Sequence, residues 1–170
     1  MTKPILTQAR LKELLHYNPD TGVFTRLVTT NNRRASKGSI AGIKPSTGGY
    51  CRIAIDKTDY FAHRLVMMYM EGVMPELEVD HINHIKHDNR FANLRHASNA
   101  ENKKNLPIST RNTSGISGVS FDSPRNQWMV RISIAGVTRN IGRFYDFFEA
   151  CCVRKSAEIK YGYHINHGGV

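Results

Sequence analysis

The sequence predicts an α+β chain built in two parts. Three observations support this. Short apolar stretches with helical or strand periodicity follow one another over residues 7–72. A segment dense in His, Asn and Asp occupies residues 77–105. A self-contained set of three strands and one helix comes after a linker-like stretch. We therefore expect domains at 1–105 and 112–170, joined by a linker at 106–111.

The first part is predicted to alternate helices and strands. Leu11, Leu14 and Leu15 stand at helical spacing behind Thr7, a residue typical of helix N-caps. The further predicted elements are a turn at 18–22, strands at 23–27 and 50–55, a turn at 56–59, a strand beginning at Tyr60, and a helix at 63–71 that ends at Gly72.

The second part is predicted to be a three-stranded sheet with one helix. Strands are expected near 119–121, 128–134 and 137–144, and a helix from 147 to 161 begins behind the capping-box pair Asp146 and Glu149. In the middle strand, Trp128, Val130, Ile132 and Ile134 share one face, which we expect to meet the helix, while Met129, Arg131 and Ser133 share the other.

The charge of the chain predicts a polyanionic partner. Lys and Arg number 24 against 14 Asp and Glu, a net charge of +10, and +6 of this lies between Lys103 and Arg143, where Asp122 is the single acidic residue. Each phosphate contact by Lys or Arg releases counterions, so nucleic acid is the main expectation and a membrane surface the weaker one. No apolar run is long enough to span a membrane, and the N-terminus lacks a signal-peptide core, so we expect an intracellular, cytoplasmic protein.

Residues 78–102 contain candidate groups for phosphodiester chemistry. A strand, a polar loop, a second strand at 94–97 and a helix capped by Ser98 can bring Asp80, His81 and Asn102 together. A carboxylate and an amide oxygen suit one Mg²⁺ or Mn²⁺, with waters and a phosphate oxygen completing its shell. A neutral imidazole at His81 could take a proton from the attacking water.

This segment resembles the HNH endonuclease family with its ββα-metal motif. The resemblance rests on the stretches 62–66, 79–83, 88–90 and 93–95, and on Asn102. It implies His81 as general base, Asp80 and Asn102 as metal ligands, and Asn93 as the residue that holds the loop and orients the base. Where relatives often have Gly, this chain has His84. The family implies cleavage to 5′-phosphate and 3′-hydroxyl ends, and a phage, homing-type enzyme acting in a bacterial host.

Residues 112–161 resemble the Apetala-two-type DNA-binding domain, through the glycines and apolar residues of 113–121, Trp128, 141–144 and 149–150. That family reads the major groove of double-stranded DNA with a three-stranded antiparallel sheet backed by one helix. The resemblance implies Arg131 as the base-edge candidate, because a guanidinium can bridge guanine O6 and N7. We expect phosphate contacts from four arginines, Arg95, Arg125, Arg139 and Arg143. Alternation along the third strand puts Arg139 and Arg143 on the same face as Ile141, unless Gly142 marks a β-bulge.

Several alternatives remain open at this stage. His81, His84 and His87 could form a histidine zinc site. The loop carrying Arg33 and Arg34 is either solvated or a phosphate contact. His63 is expected to be a packed, hydrogen-bonded histidine, Trp128 a core residue, and 88–90 turn formers.

We expect a monomeric enzyme that nicks one strand at preferred sites, because a single ββα-metal centre cuts once per binding event. Double-strand cleavage would need a dimer or a second binding event, and the sequence leaves a dimer open. The alternative is a protein that is not an enzyme: a sequence-specific DNA-binding regulator that binds through the C-terminal sheet and keeps the HNH segment only as a scaffold.

Overall fold

The computed structural model describes residues 5–29, 35–42 and 49–169. The chain forms two compact units, Met1–Ala97 and Ser98–Val170. Its described residues form four α-helices and several small antiparallel sheets, which confirms the expected mixture of helices and strands. The domain limits 1–105, 106–111 and 112–170 stay a prediction. Within the described ranges, no helix is long and apolar enough to cross a membrane.

The first unit contains two helices and seven short strands in its described part. Their bounds are α1 Gln8–Leu14, β1 Leu15–Asn18, β2 Val23–Arg26, β3 Ile40–Ala41, β4 Arg52–Ile55, β5 Thr58–Phe61, α2 Ala62–Glu71, β6 Glu78–His81 and β7 Leu94–Ala97. Strands β1, β2 and β3 form one antiparallel sheet in that order, and β4–β5 and β6–β7 are separate antiparallel pairs. A single turn of 3-10 helix, Phe91–Asn93, leads into β7.

Local signals account for the ends of these helices, with one correction. The Thr7 side chain accepts a hydrogen bond from the backbone N–H of Arg10 (3.2 Å), and Gly72 ends α2 in the left-handed conformation at φ 99°. Leu15 was expected to continue α1, but it has extended dihedral angles and pairs with Arg26 in the β1–β2 hairpin. A helical spacing cannot show that a strand competes for the same residue.

The turn between β4 and β5 is shorter than the sequence indicated. Asp56 and Lys57 both have positive φ, 47° and 65°, and so form a two-residue hairpin turn. Thr58 and Asp59, which were expected to belong to the turn, already pair with Ile55 and Ala54. Aspartate tolerates positive φ better than most residues, which makes this tight turn accessible.

One apolar core positions the hairpin that carries the candidate site. Its fully buried side chains come from α1, β1, β2, β4 and α2, and include Leu11, Leu15, Phe24, Ile53, Leu65, Val66 and Met67. Val79 of β6 and Leu94 of β7 pack into the same cluster. Each such side chain contributes about 1.5–3 kcal/mol when fully buried, so the core anchors both strands of the β6–β7 hairpin.

The second unit contains the expected sheet and helix. Its elements are α3 Asn99–Lys103, β8 Val119–Asp122, β9 Gln127–Ile134, β10 Val137–Phe144 and α4 Phe147–Lys160. The sheet is antiparallel with β9 in the centre. Ala150 of α4 packs against Val119 and Val130, and the Asp146 side chain caps α4 by accepting from the N–H of Glu149 (2.7 Å).

Residues 104–108 hydrogen-bond to the C-terminal segment. The carbonyls of Lys104 and Leu106 accept from the N–H groups of His164 (3.2 Å) and Gly168 (2.9 Å), and Ile108 N–H donates to the carbonyl of residue 169 (3.3 Å). The stretch expected to be a linker is thus partly held by the end of the chain. No propensity signal reports such pairing, because its two partners are about sixty residues apart.

Candidate active site and candidate DNA-binding face

The β6–β7 hairpin places the candidate catalytic residues at the end where its connecting loop begins. Asp80 lies opposite Arg95, and His81, the last residue of β6, lies opposite Leu94. Burial alternates along β6: Val79 and His81 are buried on one face, and the side chain of Asp80 projects from the opposite face, where it is partly exposed. His81 is 4% exposed, and a polar side chain so deeply buried requires hydrogen-bond partners.

Asn93 links the two ends of the loop that follows β6. Its side-chain oxygen accepts from the backbone N–H of Asn83 (3.1 Å), and its amide nitrogen donates to the carbonyl of Asp88 (2.8 Å). Its own carbonyl accepts from Ile82 N–H (2.9 Å). The residue is 9% exposed, so these bonds are shielded from water and hold the loop closed.

Asp88 and Arg90 form an ion pair inside the same loop. Arg90 donates through Nε (2.8 Å) and Nη2 (2.6 Å) to the two carboxylate oxygens of Asp88, and the Asn83 amide donates to the same carboxylate (2.7 Å). Arg90 beside Asp88 lowers the pKa of that carboxyl to about 2. His84, at the position where glycine was expected from the family resemblance, has φ 64°, a left-handed conformation that glycine adopts without steric cost.

Asn89 contacts the candidate base directly, which the sequence did not indicate. Its side-chain oxygen lies 3.2 Å from Nε2 of His81, and its amide nitrogen donates to the carbonyl of His87 (3.4 Å). Because an amide oxygen only accepts, this contact is a hydrogen bond when Nε2 of His81 carries the proton, and in that tautomer the lone pair of the neutral ring is on Nδ1. Residues 88–90 were expected to form a turn rather than to take part in the chemistry, with Arg90 or Arg95 as an alternative phosphate contact. Burial of an asparagine in a turn requires tertiary partners, which spacing alone cannot reveal.

Aromatic rings surround His81 on the side of α2. The His63 ring meets it edge to face (5.1 Å between centroids), and Tyr50 lies 5.8 Å away. Burial lowers the pKa of His81 below its usual 6.5, which keeps the imidazole neutral at pH 7. Burial also lowers the pKa of His63, to about 3.

His63 is packed as expected, against Phe61 and Tyr50 (5.4 and 5.0 Å between ring centroids). The expectation that His63 is hydrogen-bonded is wrong for Nδ1, which has no hydrogen-bond partner among the described residues. Packing at the start of α2 buries the ring without supplying an acceptor or a donor for that nitrogen.

Asp80 is paired with Arg95, one of the residues expected to contact DNA. Arg95 donates through Nε (3.0 Å) and Nη2 (2.8 Å), both to Oδ2 of Asp80. The two side chains are cross-strand neighbours, so the hairpin register creates the pair. This fixes the orientation of a half-buried carboxylate.

The two expected metal ligands lie in different units. Asp80 is on β6 of the first unit, and Asn102 is on α3 of the second, where Ser98 and Glu101 form the expected capping box. A carboxylate and an amide oxygen are ligand types that hard divalent cations prefer. Among the described residues, no three His, Cys, Asp or Glu side chains are grouped so that they could hold a metal ion. That applies to the proposed His81, His84 and His87 zinc site as well. A site of one carboxylate and one amide would need waters and a phosphate oxygen as further ligands.

A β-bulge decides which arginines share a face of the sheet. The pairing of β10 with β9 shifts between Asn140 and Gly142, so Ile141 is the extra residue. Beyond the bulge, Arg143 lies opposite Met129, and before it Asn140 lies opposite Arg131. Arg143 therefore belongs to the polar face of Arg131.

Arg139 lies on the other face, because its partner in β9 is Ile132, which is buried on the side of α4. Arg125 and Arg143 both contact the carboxylate of Asp122, at 3.2 and 3.3 Å. Arg33 and Arg34 lie outside the described residues.

Trp128 is partly buried at one end of the sheet. Its ring contacts Phe147 (4.5 Å between centroids) and Phe121 (5.0 Å), and it packs against the buried cluster of Val119, Val130 and Ala150. Trp128 was expected to be a core residue, and it lies at the edge of the core.

Comparison with known proteins connects the first site to a family. Residues 60–104 match the HNH endonuclease family. The match spans α2, the β6–β7 hairpin and α3, and includes Asp80, His81, Asn93 and Asn102. No curated protein and no solved structure matches the chain. HNH nucleases have DNA as substrate and generally depend on a divalent metal ion. Residues 60–104 are thus similar to an HNH endonuclease domain, and this similarity supports a DNA-hydrolysing nuclease.

Proposed function

We propose that the protein is a metal-dependent DNA endonuclease of the phage homing type that nicks double-stranded DNA at preferred sites. The observation that carries the proposal is His81, a buried neutral imidazole at the end of β6 within the matched HNH segment. Its bond to Asn89 directs the lone pair of the ring to Nδ1. A base of this kind typically contributes roughly 10²- to 10⁴-fold to the rate.

His81 is the general base in this mechanism. Its Nδ1 accepts the proton of the attacking water, and the ring becomes positively charged as it does so. The bond from Nε2–H to Asn89 persists in that state, because both ring nitrogens of the imidazolium are donors. Asp80, the preceding residue, favours the positive charge, since a neighbouring carboxylate raises the pKa of His81 against the larger effect of burial.

Asp80 and Asn102 are the proposed ligands of one Mg²⁺ or Mn²⁺ ion. When bound, the ion supplies positive charge that offsets the charge on the scissile phosphate and on the leaving oxygen. Arg95 orients the Asp80 carboxylate through Oδ2. Asn93 closes the loop beside His81 and so keeps the imidazole in its position.

The second unit is proposed to hold the DNA in the manner of an Apetala-two-like domain. Its support is the net charge of +6 between Lys103 and Arg143 and the polar sheet face with Arg131 at its centre. Arg131 is the proposed base reader. Arg143 and Arg125 are proposed phosphate contacts near it, and Arg139 contacts phosphate from the other face. A monomer with one such centre cuts one strand, and the products carry 5′-phosphate and 3′-hydroxyl ends.

A plasmid-nicking assay tests the proposal. Supercoiled DNA is incubated with the wild type in Mg²⁺, in Mn²⁺ and in EDTA, and with His81→Ala in Mg²⁺. His87→Ala is the matched control, because its side chain lies in the same loop but has no role in the mechanism. We expect relaxed circles from the wild type and from His87→Ala with metal, and none in EDTA or from His81→Ala.

If His81→Ala cuts DNA at the wild-type rate, His81 is not the general base and the proposed mechanism is wrong. A wild type that binds DNA tightly and cuts none would instead favour the non-catalytic regulator. Linear product formed at the same time as the nicked circle would contradict a monomeric nickase.

A further inference from the structure

The β1–β2 hairpin touches the loop that carries Asn89. Tyr17 of β1 is 3% exposed, and its hydroxyl donates to the carbonyl oxygen of Asn89 (2.8 Å). The ring is held between Phe24 and Tyr69, at 4.9 and 5.7 Å between centroids. Burial raises the pKa of Tyr17 to about 12, so the hydroxyl remains a donor throughout the neutral range.

Gly22, in the turn between β1 and β2, makes the second contact. Its φ is +72°, and a Cβ atom built on it would lie 2.5 Å from the backbone N of Arg90 and 2.6 Å from the backbone C of Asn89. Both are backbone atoms, which cannot yield as the end of a flexible side chain can. The turn therefore lies directly against the peptide bond between Asn89 and Arg90.

Asn89 transmits these contacts to His81. The residue is 4% exposed, its backbone is held by Tyr17 and Gly22, and its side-chain oxygen faces Nε2 of His81 at 3.2 Å. The orientation of the amide is set by the second bond, from Nδ2 to the carbonyl of His87. Displacement of the Asn89 backbone by a few tenths of an ångström would move the acceptor that holds the imidazole.

We propose that the β1–β2 hairpin is a positioning element of the nuclease site, in which Tyr17 and Gly22 hold Asn89 and Asn89 holds the ring of His81. The inference rests on the proposed role of His81 as general base. Asn89, Tyr17 and Gly22 are positioning residues, since they act through His81. Misplacement of a catalytic group by about 1 Å costs roughly 100-fold in rate, so the contact controls kcat rather than substrate binding.

Two glycine variants provide a matched test in the full chain. Gly22→Ala and Gly38→Ala both place alanine at positive φ, +72° and +85°, but nothing lies within 4 Å of a Cβ atom at Gly38. Both variants carry the same backbone strain, and only Gly22→Ala pushes on Asn89. Tyr17→Phe removes the hydroxyl and keeps the ring, and Asn89→Ala removes the acceptor.

Cleavage is measured with Mg²⁺ as kcat and KM, and the imidazole nitrogens of His81 are observed by ¹⁵N NMR, assigned by their loss in His81→Ala. We expect Gly22→Ala, Tyr17→Phe and Asn89→Ala to lower kcat by about 10- to 100-fold with little change in KM, and to shift the His81 nitrogen signals. Gly38→Ala should retain the wild-type kcat and spectrum.

Equal falls in kcat for Gly22→Ala and Gly38→Ala would overturn the inference. So would His81 nitrogen signals that remain unchanged in Gly22→Ala, Tyr17→Phe and Asn89→Ala. The NMR readout is independent of the proposed function. If His81→Ala cuts DNA normally, the base assignment fails, while the spectra still report whether the hairpin positions the ring. Thermal unfolding of each variant separates misplacement from general loss of fold.

Discussion

Removal of the Asn93 side chain should weaken the active-site loop by an amount that the structure allows us to estimate. Asn93→Ala deletes the acceptor of Asn83 N–H (3.1 Å) and the donor to the carbonyl of Asp88 (2.8 Å). Leaving a fully buried polar group without its partner costs about 1–3 kcal/mol. Both bonds of Asn93 are only partly buried, so we expect about 1–2 kcal/mol for each and a loss of about 2–4 kcal/mol in the free energy of unfolding. The loop must close for His81 to act, so the part of this energy that is lost from loop closure lowers kcat/KM, by at most about 900-fold.

Asn93→Asp separates the two bonds. The carboxylate still accepts from Asn83 N–H, but it cannot donate to the Asp88 carbonyl and instead faces it with negative charge. We expect this isosteric variant to lose activity as well, although it conserves the shape of the side chain.

Urea unfolding followed by circular dichroism measures the stability of both variants, and plasmid nicking with Mg²⁺ measures their activity. If Asn93→Ala unfolds at the wild-type urea concentration and cuts at the wild-type rate, Asn93 does not hold the active-site loop. A stability loss without an activity loss would show that the loop closes on the DNA without Asn93.

Three further predictions concern acid stability, DNA recognition and a buried charge network. The free energy of unfolding should fall by about 1.4 kcal/mol per pH unit as the pH drops from about 6.5 towards 3, because unfolded His63 takes up a proton near pH 6.5 and folded His63 does so only near pH 3. Urea unfolding at several pH values measures this slope, and we expect His63→Phe to make it less steep. In binding assays on specific and random DNA, Arg131→Ala should relax sequence preference, whereas Arg139→Ala should weaken binding to all sequences and lower the salt slope by about 1. Arg154 is 3% exposed and donates to Glu158 (3.0 Å) and to the carbonyl of Arg131 (2.8 Å). Arg154→Met should therefore lower the free energy of unfolding by about 3–5 kcal/mol, and adding Glu158→Leu should recover part of this loss. Thermal unfolding measures both effects.

Each of these predictions has an outcome that contradicts it. An acid slope unchanged in His63→Phe would assign the slope to other groups. The same loss on specific and random DNA for Arg131→Ala and Arg139→Ala would refute the division between base reading and phosphate contact. A double variant of Arg154 and Glu158 less stable than the single variant would show that the pair does not act as a buried ion pair.

Much of the fold could be predicted from local signals. The caps at Thr7 and Asp146 and the left-handed stop at Gly72 depend on a few neighbouring residues, and the structure contains all three. Alternation in β9 likewise predicted the buried Val130 and the exposed Arg131, because a strand has a period of two. Leu15 was assigned incorrectly because its strand partner, Arg26, is remote in sequence.

By itself the sequence determined the resemblance of one segment to HNH endonucleases, the basic charge that favours DNA, and most of the helices and strands, although not β1 and β3. These properties are carried by residue identity and short spacing. Only the tertiary structure decided that Asn89 contacts His81, that Asp80 pairs with Arg95, and that a bulge at Ile141 turns Arg143 to the face of Arg131. Each of these depends on register or on loop packing between distant residues, and a shift of one residue in register would reverse the face of a side chain without changing the composition of the chain.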